Sequence, residues 1–430
     1  MYLFNKRIKS WALYDFANSA FTTLVVTFIY GTYFTQSISV DEIVGTKFWS
    51  WSISLTAIFV AFISPFLGAL SDVGGLRKKL IISSTWICVI FTFLLYFPEE
   101  GDYILAIFLF TIANIFFEIA TVFYNSYLPE IAPEKKIGKI SGMAWGLGYL
   151  GGLLALLISL FLFINPETEK TIFGFHTNNG ENIRATNILV AIWYLIFSIP
   201  FFLSIKNEKS NLISFNKTFK LSLKNIKRTF IEVKKYKKIY KFLIARLVYN
   251  DALITIFSFG GIYAASVIGF SFKEILLMGI ILNISAGIGA YLIGFIDDKK
   301  GSIYVIKISI VLLSFACLLA IIAPNISNLN SSFDYFPKYI NAKFLFWISA
   351  ILIGFFSGPN QSASRSLMSK LTPSNKRNEF FGFYAFSGKA TSFLGPFLFG
   401  YMTTIFGNQQ AGLIIVFILF IIGYFLIKRV

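Results

Sequence analysis

Apolar residues in this chain are gathered into blocks of about 20 residues, the number a helix rising ~1.5 Å per residue needs to cross ~30 Å of hydrocarbon. Twelve such blocks are legible, at about 11–36, 48–71, 79–97, 103–127, 139–164, 186–206, 241–268, 273–296, 303–323, 344–369, 379–404 and 410–428. Hydrophobic residues are 56% of the 430 and charged residues only 14%, outside the range of a soluble domain. In lipid the backbone has to satisfy its own hydrogen bonds, so the blocks are expected as helices. The reading is an all-α membrane protein of twelve transmembrane helices.

A second pattern divides those helices. Gly68-x-x-x-Asp72-x-x-Gly75 recurs 226 residues later as Gly294-x-x-x-Asp298-x-x-Gly301, each copy in the turn after one apolar block and followed by basic residues. Pro133, Gly142 and Gly148 recur at an offset of 240 as Pro373, Gly382 and Gly388. The offset grows because the turn between blocks 9 and 10 is longer than its counterpart after Phe97. Self-similarity of this kind predicts two six-helix bundles, 1–206 and 241–430, and parallel repeats are characteristic of secondary transporters. Between them, about 207–240, Phe219, Leu223, Ile226, Phe230 and Val233 form an apolar helical stripe among seven basic residues that include Lys217, Lys224 and Arg228. That pattern predicts an amphipathic connector lying on an anionic membrane surface.

The net charge of +17 is an orientation signal. With an even helix count both termini share a side, and 29 of the 38 Lys and Arg fall at the termini and in the turns after blocks 2, 4, 6, 8 and 10. This bias puts both termini in the cytoplasm. No nucleic-acid-binding module accompanies the basic segments. Lys6, Arg7 and Lys9 precede a first block too long for a signal h-region, so it is read as an anchor. Cys88 and Cys317 lie in different halves and His176 stands alone in an outer turn, which leaves no metal site, disulfide or cofactor to propose. With no phosphate loop or nucleophile triad, an enzyme is not expected.

The first glycine–aspartate turn, continued by Arg77, Lys78 and Lys79, resembles the signature loop of the major facilitator superfamily. Four further segments carry a narrower resemblance. They are Trp11-Ala-Leu-Tyr-Asp-Phe-Ala-Asn-Ser-Ala-Phe21, Phe123-Tyr-Asn-Ser-Tyr-Leu-Pro-Glu130, Ser141-Gly-Met-Ala-Trp-Gly-Leu-Gly-Tyr-Leu-Gly-Gly152 and Glu379-Phe-Phe-Gly-Phe-Tyr-Ala-Phe-Ser-Gly-Lys389. In that order they look like the vacuole-effluxer branch, related to the fungal autophagy protein that releases amino acids from the vacuole. The resemblance implies two bundles rocking about a central cavity lined by helices 1, 4, 7 and 10. It implies that Gly68, Asp72, Gly75, Arg77, Asp298 and Gly301 gate the cytoplasmic side, with the basic residues as charge partners of the aspartates. The compact chain, without a eukaryotic targeting extension, suggests a bacterial cell membrane; a monomer is expected.

Ionisable groups inside a bilayer cost ~2.5 kcal/mol or more each and therefore need a role. Asp251 and Lys389 each lie ten residues past the start of their block, about 15 Å deep, and are expected to form a polar couple. Glu118 is the only carboxylate well inside block 4, and no basic residue of the first half lies at its depth. A carboxyl in apolar surroundings holds its proton more readily, so Glu118 is the first candidate for proton coupling. Asn18, Asn114, Tyr124, Asn125, Asn360 and Gln361 add hydrogen-bonding groups. Asp15, about 6 Å into its helix, reads as a gate residue, and Arg365, near the cytoplasmic end of block 10, is expected to snorkel. Gly358-Pro359 and Gly395-Pro396 are candidate kinks. The mix of acids and bases suits amino acids or similar metabolites moved with protons. A proton-coupled drug antiporter and a non-transporting receptor or scaffold are the alternatives.

Overall fold

Each apolar block becomes a helix whose ends are set by local chemistry. The computed structural model describes residues 5–164, 169–177, 179–206, 220–221, 233–326 and 341–430. Among the described residues the long helices are α1 (Lys6–Ile38), α2 (Glu42–Gly74), α3 (Arg77–Leu94), α4 (Tyr103–Ser126), α5 (Ile137–Leu162) and α6 (Glu181–Ser204), then α7 (Lys237–Ser266), α8 (Phe272–Lys300), α9 (Ser302–Ile322), α10 (Ala342–Leu371), α11 in two pieces (Arg377–Lys389 and Leu394–Phe406) and α12 (Gln409–Ile427). Most of the expected connector, with Phe219, Leu223, Ile226 and Phe230, lies outside the described residues.

The Asp41 carboxylate accepts the Val44 amide at the start of α2, and a reciprocal Ser271–Glu274 capping box opens α8. Both of these helices stop at the final glycine of the repeated motif. Gly75 has φ +63° and Gly301 φ +88°, backbone that side chains rarely adopt, so the motif's last position stops the helix.

Among the described residues, ten helices are long and apolar enough to cross a membrane. Of the remaining two, α3 begins on Arg77, Lys78 and Lys79, and α11 is split into pieces of 13 residues each. The sequence predicts one helix over 379–404. Residues 390–393 interrupt it instead, ahead of Gly395-Pro396, because Pro396 has no N–H for the Ser392 carbonyl. Pro359 leaves α10 continuous. Within α1, Phe21–Phe28 and Phe34–Ile38 are wound as π-helix, and the Thr27 hydroxyl bonds the Thr22 carbonyl five residues back.

The chain forms two compact units. One comprises Met1–Pro133, Leu147–Phe230 and Thr372–Phe386; the other comprises Glu134–Gly146, Ile231–Leu371 and Ser387–Val430. Each unit is therefore one sequence half that has exchanged a helix start, that of α5 or of α11, with the other half. In the first unit Tyr14 is the buried hub of α1, α3 and α6, its hydroxyl 2.6 Å from Thr85 Oγ1 and 2.9 Å from the Tyr194 hydroxyl. In the second, Tyr249 bonds Ser364 at 2.8 Å and Ser349 bonds the Ala316 carbonyl at 2.7 Å, tying α7 and α9 to α10. The largest apolar side chains point outward as well as inward: Phe62 is 75% and Leu203 78% exposed. Such a surface suits hydrocarbon and would aggregate in water.

Candidate functional site: two carboxylate caps and an interrupted helix

In the first unit α2 meets the start of α11. A Cβ on Gly68 would overlap the Asn378 carbonyl, and one on Gly382 would crowd the Ser64 carbonyl, so only glycine permits the approach. Asp72 at the end of α2 then reaches the first turn of α11. Its Oδ1 accepts from the Asn378 amide (3.2 Å) and side chain (2.7 Å), and its Oδ2 accepts from the Glu379 amide (2.8 Å).

The second unit repeats this at the same offsets. A Cβ on Gly142 of α5 would overlap the Ala290 carbonyl, and Gly294 packs on the Gly138 carbonyl. Asp298 accepts from the amides of Gly138 (2.8 Å) and Lys139 (3.0 Å), the first turn of α5. Each carboxylate satisfies two orphan donors and sits at the positive end of a helix, a pairing worth ~0.5–2 kcal/mol.

This corrects the expected pairing of the aspartates with the basic residues that follow them. Arg77 instead forms an ion pair with Glu130 in the short helix Leu128–Ile131 that follows α4, its guanidinium 3.8 Å from the centre of the Tyr127 ring. Arg377 stands 3.9 Å from the same carboxylate. In the second unit the cation is Lys370, 2.9 Å from the buried Asp297, with Ser302 bonded to both. Asp297, next to the motif aspartate, was not singled out from the sequence, because the repeat has serine at the equivalent position, Ser71.

Arg365 does not snorkel. It is 2% exposed, and it donates from Nε to the Ser141 hydroxyl (3.0 Å) and from a terminal nitrogen to the Ser141 carbonyl (2.8 Å). The close α5–α8 packing brings Ser141 within reach of the planar fork, which binds hydroxyl and carbonyl together.

The other candidates divide by unit. In the first, Phe21 stacks on Phe117 (4.9 Å), which sets α1 against α4 one residue from the half-buried Glu118. Asn18 and Asn114 are buried, as is Asp15. Tyr124 belongs to the aromatic core, stacked on Trp11 and Tyr14, and the half-buried Asn125 follows it. In the second, Asn360 is buried and neither end of its amide is hydrogen-bonded among the described residues. Gln361 beside it is half-buried.

Asp251 is 3% exposed, and Thr391 is a hydrogen-bond partner of its carboxylate. Thr391 lies within the interruption of α11, so that break, invisible to a helical reading, brings a hydroxyl to the carboxylate. Asn250 donates to the Gly388 carbonyl (3.0 Å) and Arg246 to the Ser387 hydroxyl (2.9 Å). One face of α7 thus lines the break.

The comparisons with known proteins agree with this architecture. Residues 5–430 match the family model described as vacuole effluxer Atg22 like, and the chain belongs to that family. An MFS-type transporter of Bacillus subtilis, YxiO, is 26% identical over 98% of this chain and 94% of its own length. Autophagy-related protein 22 of Yarrowia lipolytica is 25% identical over 87% of this chain and 74% of its own. Among solved structures, the proton:xylose symporter XylE superposes with a TM-score of 0.71 at 13% identity, covering 99% of this chain and 95% of that one. The transporter FucP in its outward conformation gives 0.72 at 13%, covering 100% and 99%. The chain is a multi-pass transporter of the major facilitator fold, and its relatives are transporters, not enzymes.

Proposed function

We propose that this member of the vacuole-effluxer family is a bacterial cell-membrane exporter of amino acids or related small metabolites, working by alternating access and coupled to protons. The observation that carries the reading is the buried, ionisable wall of α7 beside a helix broken at mid-membrane. A protein needing only to pack would gain nothing from Asp251 at 3% exposure there. The family description and the mixture of acids and bases support an amphoteric cargo.

Asp72 and Asp298, with Arg77 and Arg365, act as inner latches in this reading. Asp72, Asp298 and Arg365 each hold the start of a helix contributed by the opposite sequence half, so releasing them frees α5 and α11 to move, while Arg77 anchors Glu130 within its own half. Glu118 is the proton carrier, in a first half where Asn18 and Asn114 supply neutral hydrogen-bonding groups. Asp15 gates the inner end of α1.

Purified protein in liposomes, loaded with unlabelled amino acids and offered labelled ones with and without a pH gradient, tests this. Counterflow of at least one amino acid is expected, with concentrative uptake abolished in Glu118→Gln while exchange persists. No counterflow for any amino acid would remove the cargo class. Gradient-driven accumulation surviving in Glu118→Gln would remove its proton role.

A further inference from the structure

The interruption of α11 leaves polar groups that the fold does not satisfy. Its pieces are equal in length, 13 residues each. At ~1.5 Å per residue the break therefore lies about 20 Å from either end, in the middle of the bilayer. Lys389 ends the first piece, and its carbonyl accepts from the Ser392 amide (3.3 Å) and hydroxyl (3.0 Å). The Leu394 amide turns back to the Thr391 carbonyl (2.7 Å). Among the described residues nothing donates to the carbonyls of Ala390 and Ser392. For Ser392 the helical donor would be residue 396, which is proline. Unsatisfied carbonyls in hydrocarbon cost several kcal/mol each and persist only where they serve a ligand or a cavity.

Asp251 closes the same site from α7. Its side chain is buried and held by Thr391, inside the break. The contact is close: Gly395 leaves no room for a Cβ, which would overlap the Thr255 hydroxyl and stand 2.9 Å from the Asp251 carbonyl. The negative end of the first helical piece points into this space as well. A carboxylate, freed carbonyls and a helix C-terminus together form an oxygen-rich site for one positive charge. Discontinuous membrane helices use these groups for cations.

We propose that the break at 390–393, with Asp251, is the subsite for a primary ammonium group of the transported solute. This assignment rests on the reading of an amine-bearing cargo. An ammonium carries three N–H donors, matching the carboxylate and the two freed carbonyls. Across the break the amides of Thr391, Phe393 and Gly395 have no backbone acceptor among the described residues. A head group with a carboxylate beside its ammonium satisfies both sets, which a bare alkali ion does not. Arg246 is engaged by Ser387 one turn away on α7, towards the start of that helix.

The test uses purified full-length protein and the shift of its thermal midpoint with methylammonium, glycine, sodium or acetate. Methylammonium and glycine should stabilise it, glycine more, with sodium and acetate ineffective. Asp251→Asn removes the charge. Pro396→Ala supplies the missing N–H to Ser392 and lets the helix close without touching Asp251. Each should weaken the methylammonium response about tenfold or more, as losing a charge-assisted hydrogen bond does. Stabilisation by sodium equal to that by methylammonium overturns the amine assignment. An unchanged response in both variants overturns the site. Amino-acid counterflow by the wild type alongside unchanged variants would sink the subsite and leave the transport reading standing. Loss of all counterflow, with methylammonium stabilisation intact and dependent on Asp251, would do the reverse.

Discussion

Single side chains hold the contacts that matter most here, and a few substitutions expose them. Arg365 serves Ser141 through two nitrogens of one plane. Arg365→Lys keeps the charge and loses the fork, so purified protein should lose about 1–3 kcal/mol of stability, read as a lower thermal midpoint. A midpoint equal to the wild type would mean the guanidinium contributes only charge. Gly382 faces the Ser64 carbonyl with no space for a methyl group. Gly382→Leu should cost about 1–3 kcal/mol through overpacking and should weaken transport, whereas the same change at Gly400, which has nothing near its Cβ position, should do neither. Residue identity was legible at this scale but residue duty was not. Arg365 reads as a snorkelling cation until Ser141, from a segment more than 220 residues away, is seen beside it. Asp251 and Lys389 have matching depth, yet depth along two helices fixes neither rotation nor breaks, and it gave no sign that Thr391, inside the break, bonds Asp251.

Helix ends do the work at the next scale. The aspartates of the repeated motif do not seek the cations next to them in sequence. They cap α5 and α11 by accepting pairs of backbone amides. Asp72→Asn and Asp298→Asn should each cost about 0.5–2 kcal/mol, and because the caps share no partner the double variant should show the sum. Thermal unfolding of the two single variants and the double variant checks this, and a large departure from additivity would show the caps to be coupled. Helix positions came straight from the apolar blocks, since a bilayer imposes length on every spanning segment. Interruptions did not. Pro396 marks a weakness, but the chain lets go three to six residues earlier, where the carbonyl that lost its donor sits. The π-helical turns of α1 leave no mark in an apolar pattern either, because any apolar run satisfies hydrocarbon whether its bonds skip four residues or five.

For the whole molecule, the charge bias predicts both termini in the cytoplasm. A cysteine at exposed Lys428 should react with a membrane-impermeant maleimide only after cells are permeabilised, and one at exposed His176 should react in intact cells. The native Cys88 and Cys317 are buried and add little background. Labelling in the opposite pattern would invert the topology. By itself the sequence determined twelve helices, two related halves and the place of the glycine–aspartate turns, because hydrocarbon thickness, helical rise and an internal repeat are all properties of one dimension. Only the tertiary structure decided that the starts of α5 and α11 are exchanged between units, that Asp72 and Asp298 meet helix ends rather than basic side chains, and that Asp251 faces a broken helix. Those outcomes depend on how closely glycine faces let helices approach and on which backbone groups are left without a partner, and neither is written along the chain.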